Sequence, residues 1–188
     1  MRNARNILIA LGANLQSEDM SLAQTLQAAA AAILGPNVTA CKVSRLFASP
    51  CFPAGAGPDY VNAAAIVKTT LSPQALLAHL HGVEAIFRRE RLQRWGRRTL
   101  DLDLLAMDDL VLPDAQTQAH WRNLAPQDQS RLSPPTLILP HPRIQDRAFV
   151  LVPLADVAPD WCHPILGLTV IQMLARLDPA DIRAVTPL

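Results

Sequence analysis

Two aspartates, Asp101 and Asp103, interrupt the apolar run "TLDLDLLAM", and six arginines (Arg88, Arg89, Arg91, Arg94, Arg97 and Arg98) crowd the eleven positions just before it. On a strand, residues two apart face the same way, so the two carboxylates project together while Leu100, Leu102 and Leu104 turn to the opposite, core side. Carboxylates that close repel one another and raise one pKa unless a cation or hydrogen-bond donors intervene. Hard oxygen ligands without neighbouring His or Cys suit magnesium, which takes one or two carboxylates and completes its shell with water and substrate phosphates. The planar fork of arginine suits phosphate equally well. The pattern points to a nucleotide polyphosphate, while a short motif of this kind also fits the solvated face of an amphipathic strand.

Two further clusters offer chemistry. "LPHPRIQDRAF" carries His141, Arg143, Arg147 and Phe149 in a segment stiffened by Pro140 and Pro142. "PDYVNAA" puts Tyr60 and Asn62 on one strand face, where they could stack on and hydrogen-bond a polar heterocycle, or simply form the polar side of a half-buried strand. No glycine-rich phosphate loop of the Walker or kinase type is present, and no nucleophilic triad can be defended from spacing.

The elements that must position these groups can be read in order. "NILIAL" (6–11) reads as a buried strand, 19–34 as an Ala/Leu-rich helix closed by Gly35-Pro36, and "VTACKVSRLFAS" and "YVNAAAIVKT" as two strands around the Pro/Gly-rich "PCFPAGAGP". Ser72 is a suitable N-cap with Pro73 at the first helical position, for a helix running to about residue 89. "TLDLDLLAMDDLVL" predicts a strand, a turn at Asp108-Asp109 and a short partner strand. Residues 113–136 lack periodicity and are expected to form a long surface loop or insertion. A final amphipathic helix is expected at about 169–177. The order βαββαβ predicts an α+β, ferredoxin-like sandwich, an antiparallel sheet with helices on one face and extra C-terminal strand and helix elements.

Composition narrows the class. With 188 residues, half of them apolar and 18% charged, the chain is expected to fold as one domain over 1–188. A formal net charge of +1 and only 4% aromatic residues argue against a nucleic-acid-binding module, although the arginine-rich segment leaves that reading standing as a competitor. Three cysteines without metal spacing suggest neither a disulfide framework nor a zinc site, and fit a reducing cytoplasm. No run is long enough to span a membrane.

"RWGRRTLDLDLL" closely resembles the signature of the 6-hydroxymethyl-7,8-dihydropterin pyrophosphokinase family, R-W-G-x-R-T-x-D-x-D followed by apolar residues. The resemblance extends through "ALGANL", "PDYVNAA", "VEAIFRRER" and "LPHPRIQDRAFVLVPLADVAP" in the same order. It implies the ferredoxin-like fold and transfer of pyrophosphate from ATP to the hydroxymethyl oxygen of the pterin, releasing AMP, in a cytoplasmic monomer of the folate pathway. By the same resemblance Asp101 and Asp103 would hold two Mg2+ ions, and Arg89, Arg91, Arg98 and Trp95 would serve catalysis. Glu84, Leu104, His141 and Arg147 would bind ATP. Ser49, Pro50, Phe52, Tyr60, Asn62 and Phe149 would form the pterin pocket. The chain departs from familiar members at Ser49, Cys51, Phe52 and His81, and the insertion 113–136 displaces the usual arginine and threonine of the ATP site, leaving Arg131 as a substitute.

Overall fold

The computed structural model describes residues 4–17, 19–51, 57–87, 99–129 and 131–188. Its central element is β1 (Arg5–Ala13), whose odd positions Ile7, Ile9 and Leu11 are almost fully buried. β1 pairs antiparallel with β4 (Tyr60–Thr69) on one side and β5 (Asp101–Met107) on the other. β2 (Val38–Val43) and β3 (Phe47–Ser49) lie end to end along the far edge of β4. The single strand expected over "VTACKVSRLFAS" is thus broken, because the Ser44 hydroxyl takes the N–H of Ala64 (2.9 Å).

α1 (Leu22–Ile33) and α2 (Pro73–Ile86) cover one face of this sheet. α1 begins later than residue 19 because Ser21 and Gln24 form a reciprocal capping box. Ser72 caps α2 with Pro73 inside, as its spacing predicts. Leu26, Ile33, Leu76 and Leu80 pack from these helices onto Ile7, Ile9, Val67, Leu102 and Leu104. Each such side chain contributes about 1.5–3 kcal/mol when fully buried.

Helices on one face only is corrected by the C-terminal elements. α5 (Ala148–Val157) and α6 (Val170–Leu174) bury the second face through Leu151, Leu154, Val170 and Met173 against Leu8, Ala64, Leu105 and Ala106. A β-bulge makes this possible: Leu8 pairs with Ala106 and Ile9 with Leu104, so Leu105 is the extra residue and turns into the second core. α7 (Pro179–Arg183) and β6 (Thr186–Pro187), which pairs with β3, close the chain.

The turn at Asp108-Asp109 forms, with Asp108 at φ 46° and its carboxylate accepting from the Asn6 backbone at 2.9 Å. The expected partner strand does not follow. Leu112 instead bridges Leu139 through two backbone hydrogen bonds of 2.8 and 3.2 Å. The segment read as a long loop is also corrected, since it contains α3 (Ala115–Arg122) and α4 (Pro126–Gln129). α3 is polar on most sides, which hid it from hydrophobic periodicity. Its start was nevertheless written in Asp114, which accepts from the Thr117 N–H and hydroxyl, both at 2.8 Å.

Candidate active site

The ends of β1, β3, β4 and β5 meet beneath the start of α5, and a cleft of about 990 Å³ opens there. Register sets its floor. Asp101 pairs with Gly12 and Asp103 with Ala10, while Gly12 pairs on its other side with Asn62 and Ser49 pairs with Tyr60. Asp101 and Asp103 therefore share the face opposite Leu102 and Leu104, as alternation requires, and both line the cleft.

β5 is an edge strand, and two of its outward backbone groups near the aspartates are occupied. Glu84 Oε1 accepts from the N–H of Leu102 at 2.9 Å, and the Leu105 carbonyl accepts from the N–H of His141 at 2.7 Å. The first contact ties α2 to the strand between the two aspartates. Glu84 is only 2% exposed and is not among the residues lining the cleft; its helix contributes Leu77 and His81 there. Leu104 lines the cleft from within the first core.

His141, Arg143 and Arg147 come from the segment that runs past this edge into α5. Arg147 Nη1 stands 3.6 Å from Asp103 Oδ2, and its guanidinium carbon lies 5.6 Å from the centre of the Phe149 ring. Burial pushes the His141 pKa down to about 3, with Arg147 and Arg143 acting in the same direction and Asp101 opposing them. The ring is neutral at physiological pH. Because His141 Nδ1 accepts from the Arg143 N–H at 3.1 Å, the proton resides on Nε2, which is a donor. Arg143 also lines the cleft, with two of its donors already engaged. It donates to the carbonyls of Arg122 and Trp121, both at 2.9 Å, and so clasps the C-terminal end of α3.

At the other end of the cleft, Asn62 donates Nδ2 to Ser49 Oγ at 2.9 Å, and both residues are buried. Gly12 lies beside this pair: a β-carbon there would stand 3.4 Å from Asn62 Oδ1, at the limit of ordinary van der Waals contact. Tyr60, Pro50 and Phe149 complete this end.

The structure thus brings Ser49, Pro50, Tyr60, Asn62, Asp101, Asp103, Leu104, His141, Arg147 and Phe149 to one cleft and leaves Glu84 behind it. Arg89, Arg91, Trp95, Arg98 and Phe52 lie outside the described residues. Sequence reasoning passed over Gly12, Leu77, Trp121 and the clasping role of Arg143. Of these only Gly12, ending an apolar strand, left a local signal. The donor set fits magnesium rather than a metal caged wholly by protein: two carboxylates share a face, and no group of three or more His, Cys, Asp or Glu side chains able to hold a metal occurs among the described residues.

Fold and cleft together define an antiparallel α+β sandwich with carboxylate, guanidinium and imidazole groups gathered at one end of its sheet. The family model described as 7,8-dihydro-6-hydroxymethylpterin-pyrophosphokinase (HPPK) matches residues 8–159. The chain is 41% identical over 130 residues to the 2-amino-4-hydroxy-6-hydroxymethyldihydropteridine pyrophosphokinase of Synechocystis sp., covering 69% of this chain and 56% of that protein. It is 33% identical over 156 residues to the Haemophilus influenzae protein of the same name, covering 83% of each. Among solved structures, wild-type Plasmodium falciparum HPPK-DHPS superposes with a TM-score of 0.63 over 93% of this chain and 45% of that one, at 12% identity, a likeness of fold. The chain belongs to the 7,8-dihydro-6-hydroxymethylpterin-pyrophosphokinase family. It spans little more than half the length of the Synechocystis relative. No helix among the described residues is long and apolar enough to cross a membrane.

Proposed function

We propose that the protein transfers pyrophosphate from ATP to the hydroxymethyl group of 6-hydroxymethyl-7,8-dihydropterin, giving AMP and the pterin diphosphate, as a monomeric cytoplasmic enzyme of folate biosynthesis formed by one domain over 1–188. The observation that carries this reading is the placement of Asp101 and Asp103 on one strand face between two unlike ends of a single cleft, with Arg147 beside Asp103. Phosphates belong at the carboxylate pair, so acceptor and base must lie to either side of it.

In the reaction the hydroxymethyl oxygen attacks the β-phosphorus of ATP and loses its proton to solvent. The bond from that phosphorus to the oxygen it shares with the α-phosphate breaks, its electron pair leaving with AMP. Two magnesium ions held by Asp101 and Asp103 would neutralise charge on the triphosphate. Arg147, 3.6 Å from Asp103, is held near the phosphates by attraction without being locked into a bidentate pair. His141 supplies a neutral Nε2–H donor beside it. Asn62, oriented by Ser49, offers a fixed amide edge to the pterin, with Tyr60, Pro50, Phe52 and Phe149 around the ring. Arg89, Arg91 and Arg98 take developing phosphate charge in this reading, with Trp95 helping to close the site. Glu84 acts through β5 rather than on ATP, and Leu104 sits beneath the nucleotide.

The test is AMP release from ATP and magnesium in the presence and absence of the reduced hydroxymethylpterin. Release that depends on the pterin and is lost in Asp101→Ala and Asp103→Ala supports the assignment; near-normal turnover in both variants overturns it.

A further inference from the structure

The motifs that carry the family resemblance end at Pro159, yet residues 185–188 return to the edge of β3, whose Ser49 lines the cleft. β3 is three residues long, and β4 takes one of its edges: Phe47 pairs with Asn62, Ala48 with Val61 and Ser49 with Tyr60. β6 takes the other. Phe47 pairs there with Pro187 and Ala48 with Thr186, and the Leu188 N–H donates to the Leu46 carbonyl at 3.0 Å. So short a strand frays easily when paired on one side alone; the second ladder fixes it where Ser49 must meet Asn62.

Alternation sets what lies behind the ladder. Phe47 and Ser49 share one face of β3, and their partners Asn62 and Tyr60 face the same way across the pair. On that face Phe47 is buried with Ala148 and Val185 in a small third core, joined at its margin by Val152 and Leu177. Ala148 is the first residue of α5, between Arg147 beside Asp103 and Phe149 in the cleft lining. Val185 therefore ties β3 to the start of α5 from behind, without lining the cleft itself. α7 leads directly into it: the Val185 N–H donates to the Ile182 carbonyl at 3.1 Å, and the chain then enters β6.

We infer that Val185 and the β6 ladder are positioning elements for the acceptor, setting the spacing between Ser49, Asn62 and Tyr60 on the strands and Phe149 on α5. The inference rests on the pterin occupying that end of the cleft. Val185 acts through Phe47 and Ala148 rather than on the ligand. A segment outside every motif thereby becomes a determinant of acceptor affinity, while the carboxylate pair on β5 stands apart from it.

The experiment is calorimetric titration of the full-length protein with the reduced hydroxymethylpterin at saturating α,β-methylene-ATP and magnesium, and separately with the nucleotide analogue and magnesium alone. Wild type is compared with Val185→Ala, which removes part of the third core, and with Val185→Ile, which keeps the apolar contact. A third variant, Leu188→Pro, removes the donor to the Leu46 carbonyl at a residue that is 70% exposed, so it reads the ladder even where the core substitution lowers stability. Val185→Ala and Leu188→Pro are expected to weaken the pterin about fivefold, the scale of residues that act through their neighbours. Nucleotide affinity should stay within twofold of wild type in both, and Val185→Ile should match wild type for both ligands. Pterin affinity within twofold of wild type in Val185→Ala and Leu188→Pro overturns the inference, as does equal weakening of pterin and nucleotide, the mark of a general support of the fold. Wild-type protein that binds the analogue but not the pterin removes the assigned acceptor and this inference with it, whereas binding of both ligands that the variants leave unmoved removes the inference alone.

Discussion

Arg147 Nη1 lies 3.6 Å from Asp103 Oδ2, close enough for attraction but beyond hydrogen-bonding distance. The guanidinium leans instead toward the Phe149 ring, 5.6 Å from its centre. It is thus positioned beside the carboxylate pair with donors uncommitted to Asp103. Arg147→Ala is expected to lower kcat/KM about a hundredfold, the scale of a lost transition-state donor, with a melting temperature near that of wild type. Arg147→Lys should recover only part of this, because a point charge does not reproduce the planar fork. Steady-state kinetics with both substrates, alongside thermal melts, checks it.

Glu84 holds the strand on which that pair sits. Its buried carboxylate accepts the Leu102 N–H at 2.9 Å, between the two aspartates, from a helix on the opposite face of the sheet. Glu84→Ala leaves that N–H without its acceptor and is expected to cost about 1–3 kcal/mol in urea denaturation. Glu84→Gln keeps an acceptor oxygen and should cost less. Equal losses in the two variants would show that charge, and not the hydrogen bond to β5, is what matters there.

The Ser49 hydroxyl accepts from Asn62 Nδ2 at 2.9 Å in a buried setting. Removing it by Ser49→Ala lets the amide rotate away from the geometry the pterin edge needs. The expected outcome is a roughly fivefold rise in KM for the pterin, the worth of about one ordinary hydrogen bond, with KM for ATP unchanged. A parallel rise in both constants would place Asn62 outside the acceptor pocket.

His163 is fully buried behind the second core, with Nδ1 accepting from the N–H groups of Ile165 and Leu166 (3.2 and 3.3 Å). Burial pushes its pKa down to about 4, with Arg122 adding to the fall, and Trp161 packs at 5.7 Å. An unfolded histidine titrates near 6.5, so below that pH the unfolded chain binds the extra proton and the folded one refuses it. Stability from this group is complete above about pH 6.5 and is lost as pH falls toward 4, at about 1.4 kcal/mol per pH unit. His163→Asn keeps an acceptor without the titration and should flatten the profile by that slope in denaturation at pH 4.5, 5.5 and 7.5. An unchanged slope would assign the acid sensitivity to other groups.

The amino-acid sequence by itself determined the parts of this protein whose cause is local. Alternation in "TLDLDLL" put Asp101 and Asp103 on one face and the leucines on the other, and Ser72-Pro73 started α2 where its capping chemistry requires. The order of the motifs was enough to identify the family resemblance. Tertiary structure decided what depends on contacts between distant residues. The bulge at Leu105 exists because α5 and α6 offer a second core to fill, which no period in β5 announces. α3 carries little apolar pattern and is held from outside by Arg143 and Gln118, so a window over 113–136 looks like loop. Glu84, read as a nucleotide ligand from its place in a motif, is turned to a backbone N–H because β5 is an edge strand that needs an acceptor there. Periodicity and caps act within a few residues and can be read along the chain, whereas the depressed His141 pKa and the grip of Arg143 on the end of α3 arise only once packing brings distant segments together.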